Sequence, residues 1–387
     1  MESMGKGNGI MQATMTKDGL RQLYRRIAAS DPIPIDTLDF ALGGGQGCRT
    51  MHKSALALLL LAVFLPGCSR SPSPSVSVFC AQDQTYSEPF GERFTKVSGI
   101  RAQFVFDTEA AKTIGLVNRI VAEAKNPQCD VFWNNEIVQS IFLKKQGLLQ
   151  PYVSPAAADV PGAFKDKDGY WTGFGGRARV LLVNTNLVPA GQEPRSIFEL
   201  ADPKWRGQVA MAYPLFGTTA THSAALFAAL GEEKAAKLYR DLKANELVIV
   251  DGNATAKDRV ADGHLKVCIT DSDDANLALR AGKPVKVVYP DQDANGIGTL
   301  LMPNTVCLVR NSPHPEAGKK LIDFLLSREV EAQLAKDGAV QLTLHSGADK
   351  PPQVLDYGQV KAMMVDWEQV ADRLKPTAEF MQKLFVR

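Results

Sequence analysis

Five consecutive residues, Thr270-Asp271-Ser272-Asp273-Asp274, set three carboxylates and two hydroxyls directly after the apolar run Leu265, Val267, Cys268 and Ile269. A short run of this kind reads as a buried strand, so the carboxylates are expected just beyond its end. Holding them together there is costly unless something positive sits among them. Other strand-like runs also end in polar groups: Val76 to Cys80 in Gln82-Asp83, Ala102 to Phe106 in Asp107-Thr108-Glu109, Asp130 to Trp133 in Asn134-Asn135-Glu136, and Val248 to Val250 in Asp251-Gly252-Asn253. Oxygen donors of this type suit a hard cation. The triplet Gly217-Thr218-Thr219 offers the opposite chemistry. It precedes the helical stretch Ala220 to Leu230, and unpaired N–H groups with two hydroxyls at a helix start favour an anion. The plainer reading is that Thr218 or Thr219 caps the helix.

The elements that must hold these groups follow from composition and pattern. With 387 residues, 45% hydrophobic and 22% charged, the chain has material for two lobes. A formal charge of +2 without a long basic run gives no reason to expect a nucleic-acid partner. From Val76 strands and helices alternate, which predicts an α/β architecture with largely parallel sheets and a ligand beyond the carboxyl ends of the strands. Tyr86 to Lys96 carries Phe90 and Phe94 at helical spacing before Gly99. Val360, Met363, Met364, Trp367 and Val370 predict a last amphipathic helix whose Met and Trp stripe packs against the core. The apolar run Val180 to Val183, after Gly175-Gly176-Arg177-Ala178-Arg179, is long enough to pass between lobes, and the glycines permit a bend. Asp291-Gln292-Asp293-Ala294-Asn295-Gly296 copies half a calcium loop, but Met302 stands where the closing Glu belongs, so a connector is expected. Cys80, Cys129, Cys268 and Cys307 sit beside apolar strand-like residues, as core thiols or as disulfide partners.

Ahead of this region, Met51-His52-Lys53 opens a second start-like segment, and Ala55 to Phe64 is an apolar run of signal-peptide length. Its end, Leu65-Pro66-Gly67-Cys68, resembles the lipobox of bacterial lipoproteins, where Cys68 would carry the lipid. A transmembrane anchor or a buried helix is the alternative for this run. Residues 1–50 then precede the true start or are disordered, and the Gly43 to Gly47 cluster within them lacks the Lys-Ser/Thr of a phosphate loop. Residues 51–68 form the signal peptide and the Ser-Pro-rich 69–75 a tether.

Several stretches, in order, resemble the substrate-binding components of ABC importers, in the ferric-ion-binding group of family 1 extracellular solute-binding proteins. They are Asp130 to Glu136, Gly175 to Val180, Asp202-Pro203-Lys204-Trp205-Arg206-Gly207, Thr270 to Ala275, and Pro313-His314-Pro315-Glu316-Ala317. The resemblance implies a two-lobed type II periplasmic-binding-protein fold. Lobe 1 would comprise residues 76–178 and 300–345, lobe 2 residues 179–299, and a C-terminal helical segment 346–387. Two crossover strands would join the lobes, which close on a ligand and present it to an inner-membrane permease. It further implies a non-enzymatic, monomeric protein at the periplasm or cell surface with no obligatory cofactor, and the lipobox-like Leu65-Pro66-Gly67-Cys68 adds the expectation of a lipid anchor.

The ligand-binding residues expected are Gln82, Asp83, Thr108, Glu109, Asn135, Glu136, Arg177, Gly217, Thr218, Thr219, Asn253, Asp271, Asp273 and Asp274. Asp83, Glu136, Asp271 and Asp273 are the expected metal ligands. In the ferric-binding relatives a His follows the first strand where Asp83 stands, and paired tyrosines fall on Ser272 and Asp273. Two cargoes follow: ferric iron or another hard cation with a synergistic anion, or a single zwitterion such as an aminoalkylphosphonate. A competing class is the metal-dependent phosphatase, whose nucleophile loop Asp271-Ser272-Asp273 resembles.

Overall fold

The computed structural model describes residues 74–106 and 112–385. The expected leader, Cys68, residues 69–73 of the expected tether, Thr108 and Glu109 lie outside the described residues, while Ser75, expected to end the tether, already belongs to the first strand. Strand β1 (Ser75–Cys80) pairs in parallel with β2 (Arg101–Phe106) and β3 (Val131–Asn134). Helix α1 (Gln84–Ser98) connects the first two, ending at Gly99 in the left-handed conformation that its lack of a Cβ permits. Helix α2 (Lys112–Ala122) lies between β2 and β3, and α3 (Ile137–Lys145) follows β3. The short β4 (Leu149–Gln150) and the long β10 (Leu301–Val309) pair antiparallel, and β10 also flanks β3.

The second half has the same plan. Strand β6 (Val209–Ala212) pairs in parallel with β7 (Val248–Val250) and β8 (Val267–Asp271). Between them run α4 (Gly217–Leu230), α5 (Glu232–Ala244) and α6 (Asn253–Ala261). Helix α7 (Ser272–Arg280) and β9 (Val285–Val288) complete it.

Strand β5 (Thr172–Asn184) joins the halves. Thr172 to Ala178 pairs with β10, and Arg179 to Val183 pairs with β8. The sheets are therefore mixed, parallel within each half and antiparallel where β5 and β10 run through the middle. At the changeover the β5 to β10 register slips: Gly176 faces Pro303 and Phe174 faces Asn304, leaving Gly175 unpaired. The bend expected at the glycines is thus a β-bulge, with Gly175 at φ 46°. The bulge frees the Gly175 N–H, which donates to Glu331 Oε1 at 2.6 Å. Glu331 lies in α9 (Arg328–Asp337), fully buried, and its carboxylate also accepts from the backbone N–H groups of Leu344 at 2.9 Å and His345 at 2.8 Å. A buried carboxylate with three such donors is satisfied, and it fixes the bend from behind.

The remaining elements brace this frame. Helix α8 (Pro315–Leu325) packs on β10 and β1, and β11 (Leu342–Thr343) pairs with β12 (Leu355–Asp356) and touches β5 at Gly176. The expected last helix begins later than the apolar spacing indicates. Residues before Asp366 run extended, with Met363 N–H bonded to Thr299 O, and the Asp366 carboxylate accepts from Glu368 N–H at 2.9 Å, setting the start of α10 (Trp367–Phe385). Met364 points to solvent, 76% exposed, whereas Met363, Trp367 and Val370 are buried. Helix α10 reaches both halves. Lys144 of α3 meets Glu368 at 2.7 Å, and Phe380 packs edge-on against Phe227 of α4 at 5.3 Å.

All four cysteines among the described residues are free and buried, which resolves the open choice toward core thiols. The Asp291 loop is a pinned connector: its carboxylate accepts from Ser196 Oγ at 2.6 Å and Ile197 N–H at 3.3 Å.

Candidate functional site

Arg179 and Asp271 sit directly opposite one another in the antiparallel β5 to β8 ladder. Cross-strand neighbours of this kind meet side chain to side chain. Arg179 Nη1 donates to Asp271 Oδ1 at 2.6 Å, with the arginine side chain fully enclosed. Thr218 Oγ1 donates to Asp271 Oδ2 at 2.6 Å, and Asn253 Nδ2 donates to the same oxygen at 3.0 Å. Arg179 also donates to Thr218 Oγ1 and Thr219 Oγ1, each at 3.3 Å, and to Asn253 Oδ1 at 3.2 Å. The two predicted features, the carboxylate end of β8 and the threonine corner, are therefore one network tied around a buried guanidinium.

The helices supply the rest of the field. Gly217 is the first residue of α4, not a residue ahead of it, at φ 55°. Phe216, Gly252 and Asp271, at the caps of α4, α6 and α7, provide no side-chain cap. Three helix starts without a side-chain cap from the preceding residue thus converge on the same corner, and their dipoles favour negative charge there.

Beside it lies a second charged group. Arg177, two residues along the same face of β5, donates from Nη2 to the Asn135 carbonyl at 3.1 Å and approaches Asp273 Oδ2 at 3.5 Å. Its Nε is 3.8 Å from Asp271 Oδ2, beyond hydrogen-bond reach. The Nε atoms of Arg177 and Arg179 and the Oδ1 of Asp273 are buried without a protein partner. Asp271, Asp273 and Asp274 can bring one oxygen each within 4.8 Å of one another.

These surroundings set the charges. Burial works to raise the Asp271 carboxyl, but the guanidiniums of Arg179 and Arg177 and the Thr218 hydroxyl outweigh it and hold it low. Asp273 is raised, mainly by burial and with help from Asp271, against the pull of Arg177. Asp274 is pushed up to about 7 by burial and by the charges of Asp273 and Asp271. Arg179 and Arg177 thus offset the charges of Asp271 and Asp273, while burial and the neighbouring carboxylates disfavour the ionised form of Asp274. His222, one helical turn beyond Thr218, is buried and held neutral, with its pKa at about 3, by desolvation and by Arg179.

Of the other expected ligands, Asn135 contributes its carbonyl to Arg177 while its side chain accepts from Thr113 Oγ1 at 3.1 Å. Glu136 is buried at the start of α3 and takes two donors, Val138 N–H at 3.1 Å and Thr221 Oγ1 of α4 at 2.9 Å. Asp83 is exposed at the start of α1, and Gln82 is buried beside it. Asp83 and Glu136 do not belong to the carboxylate cluster, which takes in Asp274 instead. Ser272 accepts from Ala178 N–H at 3.0 Å and so braces β5. Arg179 is the residue that sequence reasoning missed. Its signal was an alternation, two charged residues on one face of an otherwise apolar strand, but its partner became visible only with the strand pairing.

Residues 127–373 match the bacterial extracellular solute-binding protein family, and the chain belongs to it. It is similar to iron uptake protein A1 of Synechocystis, 24% identical over 350 residues, covering 85% of this chain and 95% of that protein. It is also similar to a putative 2-aminoethylphosphonate-binding periplasmic protein of Salmonella paratyphi A, 27% identical over 293 residues, covering 72% and 82%. Among solved structures, iron-bound HitA of Pseudomonas aeruginosa superposes with a TM-score of 0.70 at 20% identity, covering 81% of this chain and 99% of that one. The fold is the two-lobed α/β architecture of these periplasmic binding proteins, and β5 and β10 run through its middle.

Proposed function

We propose that this solute-binding protein captures ferric iron or another hard cation together with a synergistic anion and hands it to an ABC permease. The carrying observation is the cluster of Asp271, Asp273 and Asp274, whose oxygens converge within 4.8 Å beside three uncapped helix starts. Carboxylates are hard donors, and a carboxylate already paired with arginine keeps lone pairs for a cation. The anion would sit at the starts of α4, α6 and α7 and meet the unpartnered arginine Nε atoms. The names of the iron-uptake relatives support this cargo. A lipid anchor at Cys68 is part of the same reading, supported by the Leu65-Pro66-Gly67-Cys68 sequence.

One observation favours a second cargo, an aminoalkylphosphonate. Arg179 already neutralises Asp271, and Arg177 lies against Asp273, so two fixed cations oppose a trivalent ion, while no tyrosine stands at Ser272 or Asp273. A zwitterion would place its phosphonate at the helix starts and its ammonium at Asp273 and Asp274. The name of the Salmonella relative supports this alternative.

Elemental analysis of protein purified without chelators separates the two. Stoichiometric iron, lost in Asp273→Asn with Asp274→Asn, is the expected result. Metal-free protein whose melting temperature rises with 2-aminoethylphosphonate and not with ferric citrate would replace the first reading by the second.

A further inference from the structure

We propose that Glu136 acts as a closure latch, not as a ligand to the cargo: it holds the two walls of the cleft together through Thr221. The inference rests on the reading of this protein as one that closes on a solute. Glu136 follows β3, in the half built on β1, β2 and β3, and Thr221 lies in α4, in the half built on β6, β7 and β8. Their hydrogen bond therefore spans the cleft, Thr221 Oγ1 donating to Glu136 Oε1 at 2.9 Å. Both residues are buried, at 8% and 2% exposure. The other oxygen of Glu136 caps α3 through Val138 N–H, so each carboxylate oxygen accepts a hydrogen bond from the protein. Within the first half, Arg177 on the β10-paired part of β5 donates to the Asn135 carbonyl, one residue before Glu136, and so fixes the segment that carries the latch. The residue that was expected to bind metal is thus occupied by the opposite wall.

The physical consequence is state-dependent. With the walls apart, water solvates the Glu136 carboxylate. With the walls together, Thr221 replaces that water, and removal of its hydroxyl leaves a buried acceptor unpaired in the closed state alone. Thr221→Val keeps the shape and helix-compatible branching while deleting the donor. Glu136→Gln keeps the latch, because the amide oxygen accepts from Val138 N–H and the amide N–H donates to the Thr221 hydroxyl, which can also accept. A metal ligand behaves in the opposite way, since a neutral amide is a poor substitute for a carboxylate at a hard cation.

The test uses the full chain with Cys48→Ser and Cys68→Ser and with spin labels at Gln84→Cys on α1 and Leu277→Cys on α7, both exposed, while the other four native thiols are buried. The inter-label distance is measured without solute, and binding is titrated with ferric citrate and with 2-aminoethylphosphonate. The expected result is a shift toward longer distances in Thr221→Val and about a fivefold loss of affinity for whichever probe binds, with Glu136→Gln close to wild type in both. Identical distance distributions in wild type and Thr221→Val would overturn the latch. So would loss of ferric citrate binding in Glu136→Gln with Thr221→Val unaffected. The distance measurement needs no bound cargo, so failure of the latch and failure of the cargo assignment are distinguishable.

Discussion

Arg179 and Asp271 face each other across two antiparallel strands, 2.6 Å apart and shut away from solvent. The pair stands at the point where β5 leaves one half of the molecule for the other. A buried ion pair contributes little net stability when intact, but removing one partner strands the other charge. Arg179→Met or Asp271→Leu alone should each cost about 3–5 kcal/mol in urea unfolding. The double variant should cost less than the sum of the two. Additive losses would show that the pair does not act as a unit.

Asp274 gives the protein a pH signature. Its pKa in the folded chain is about 7 against an ordinary 3.8. Between those values the folded protein binds more protons than the unfolded one. The stability this group contributes is therefore full below its ordinary value and is lost as the pH rises through about 7. Asp271, held low, acts in the opposite sense: its contribution is present above the ordinary carboxylate value and lost as the pH falls through its folded value. In Asp274→Asn the melting temperature should decline less steeply between about pH 4 and about pH 7 than in wild type. A cation that displaces the Asp274 proton should bind more tightly as pH rises through this window in wild type but not in the variant. An unchanged pH profile in Asp274→Asn would place the titration elsewhere.

The bulge at Gly175 should resist substitution. A Cβ there would stand 2.8 Å from Val340 Cγ1, and the backbone is already at φ 46°. Gly175→Ala should destabilise by roughly 1–3 kcal/mol. Glu331→Ala should cost more, because it leaves three buried N–H groups without an acceptor. Denaturant midpoints of the two variants check the order.

Thiol chemistry should be silent in the folded state. Burial pushes the Cys80 and Cys307 thiols up to about 12 and raises Cys129 and Cys268 as well. Iodoacetamide should leave these four unmodified until guanidinium is added, as read by peptide mass spectrometry. A reductant should leave the melting temperature unchanged. Fast alkylation of Cys268 in native protein would contradict its place in the β8 core.

The sequence by itself determined the local pieces. Apolar runs marked β1, β3, β5 and β8 because buried strands need continuous apolar side chains, and Gly99 and Gly231 marked helix ends because only glycine adopts those conformations cheaply. It also marked the polar strand exits and the threonines of α4. Pairing lay beyond it. That Asp271 would be answered by Arg179, that the orphan N–H of Gly175 would be met by Glu331 156 residues away, and that Glu136 would reach Thr221 rather than a cluster with Asp271 are properties of register and packing. The start of α10 escaped the apolar spacing for a related reason. Val360 and Met363 are buried because an extended segment bonds to Thr299, and periodicity alone cannot tell one kind of burial from another. Charges and hydroxyls announce chemistry by their type, but their partners are chosen by the backbone that brings distant residues within three ångströms, and only the tertiary structure decided those.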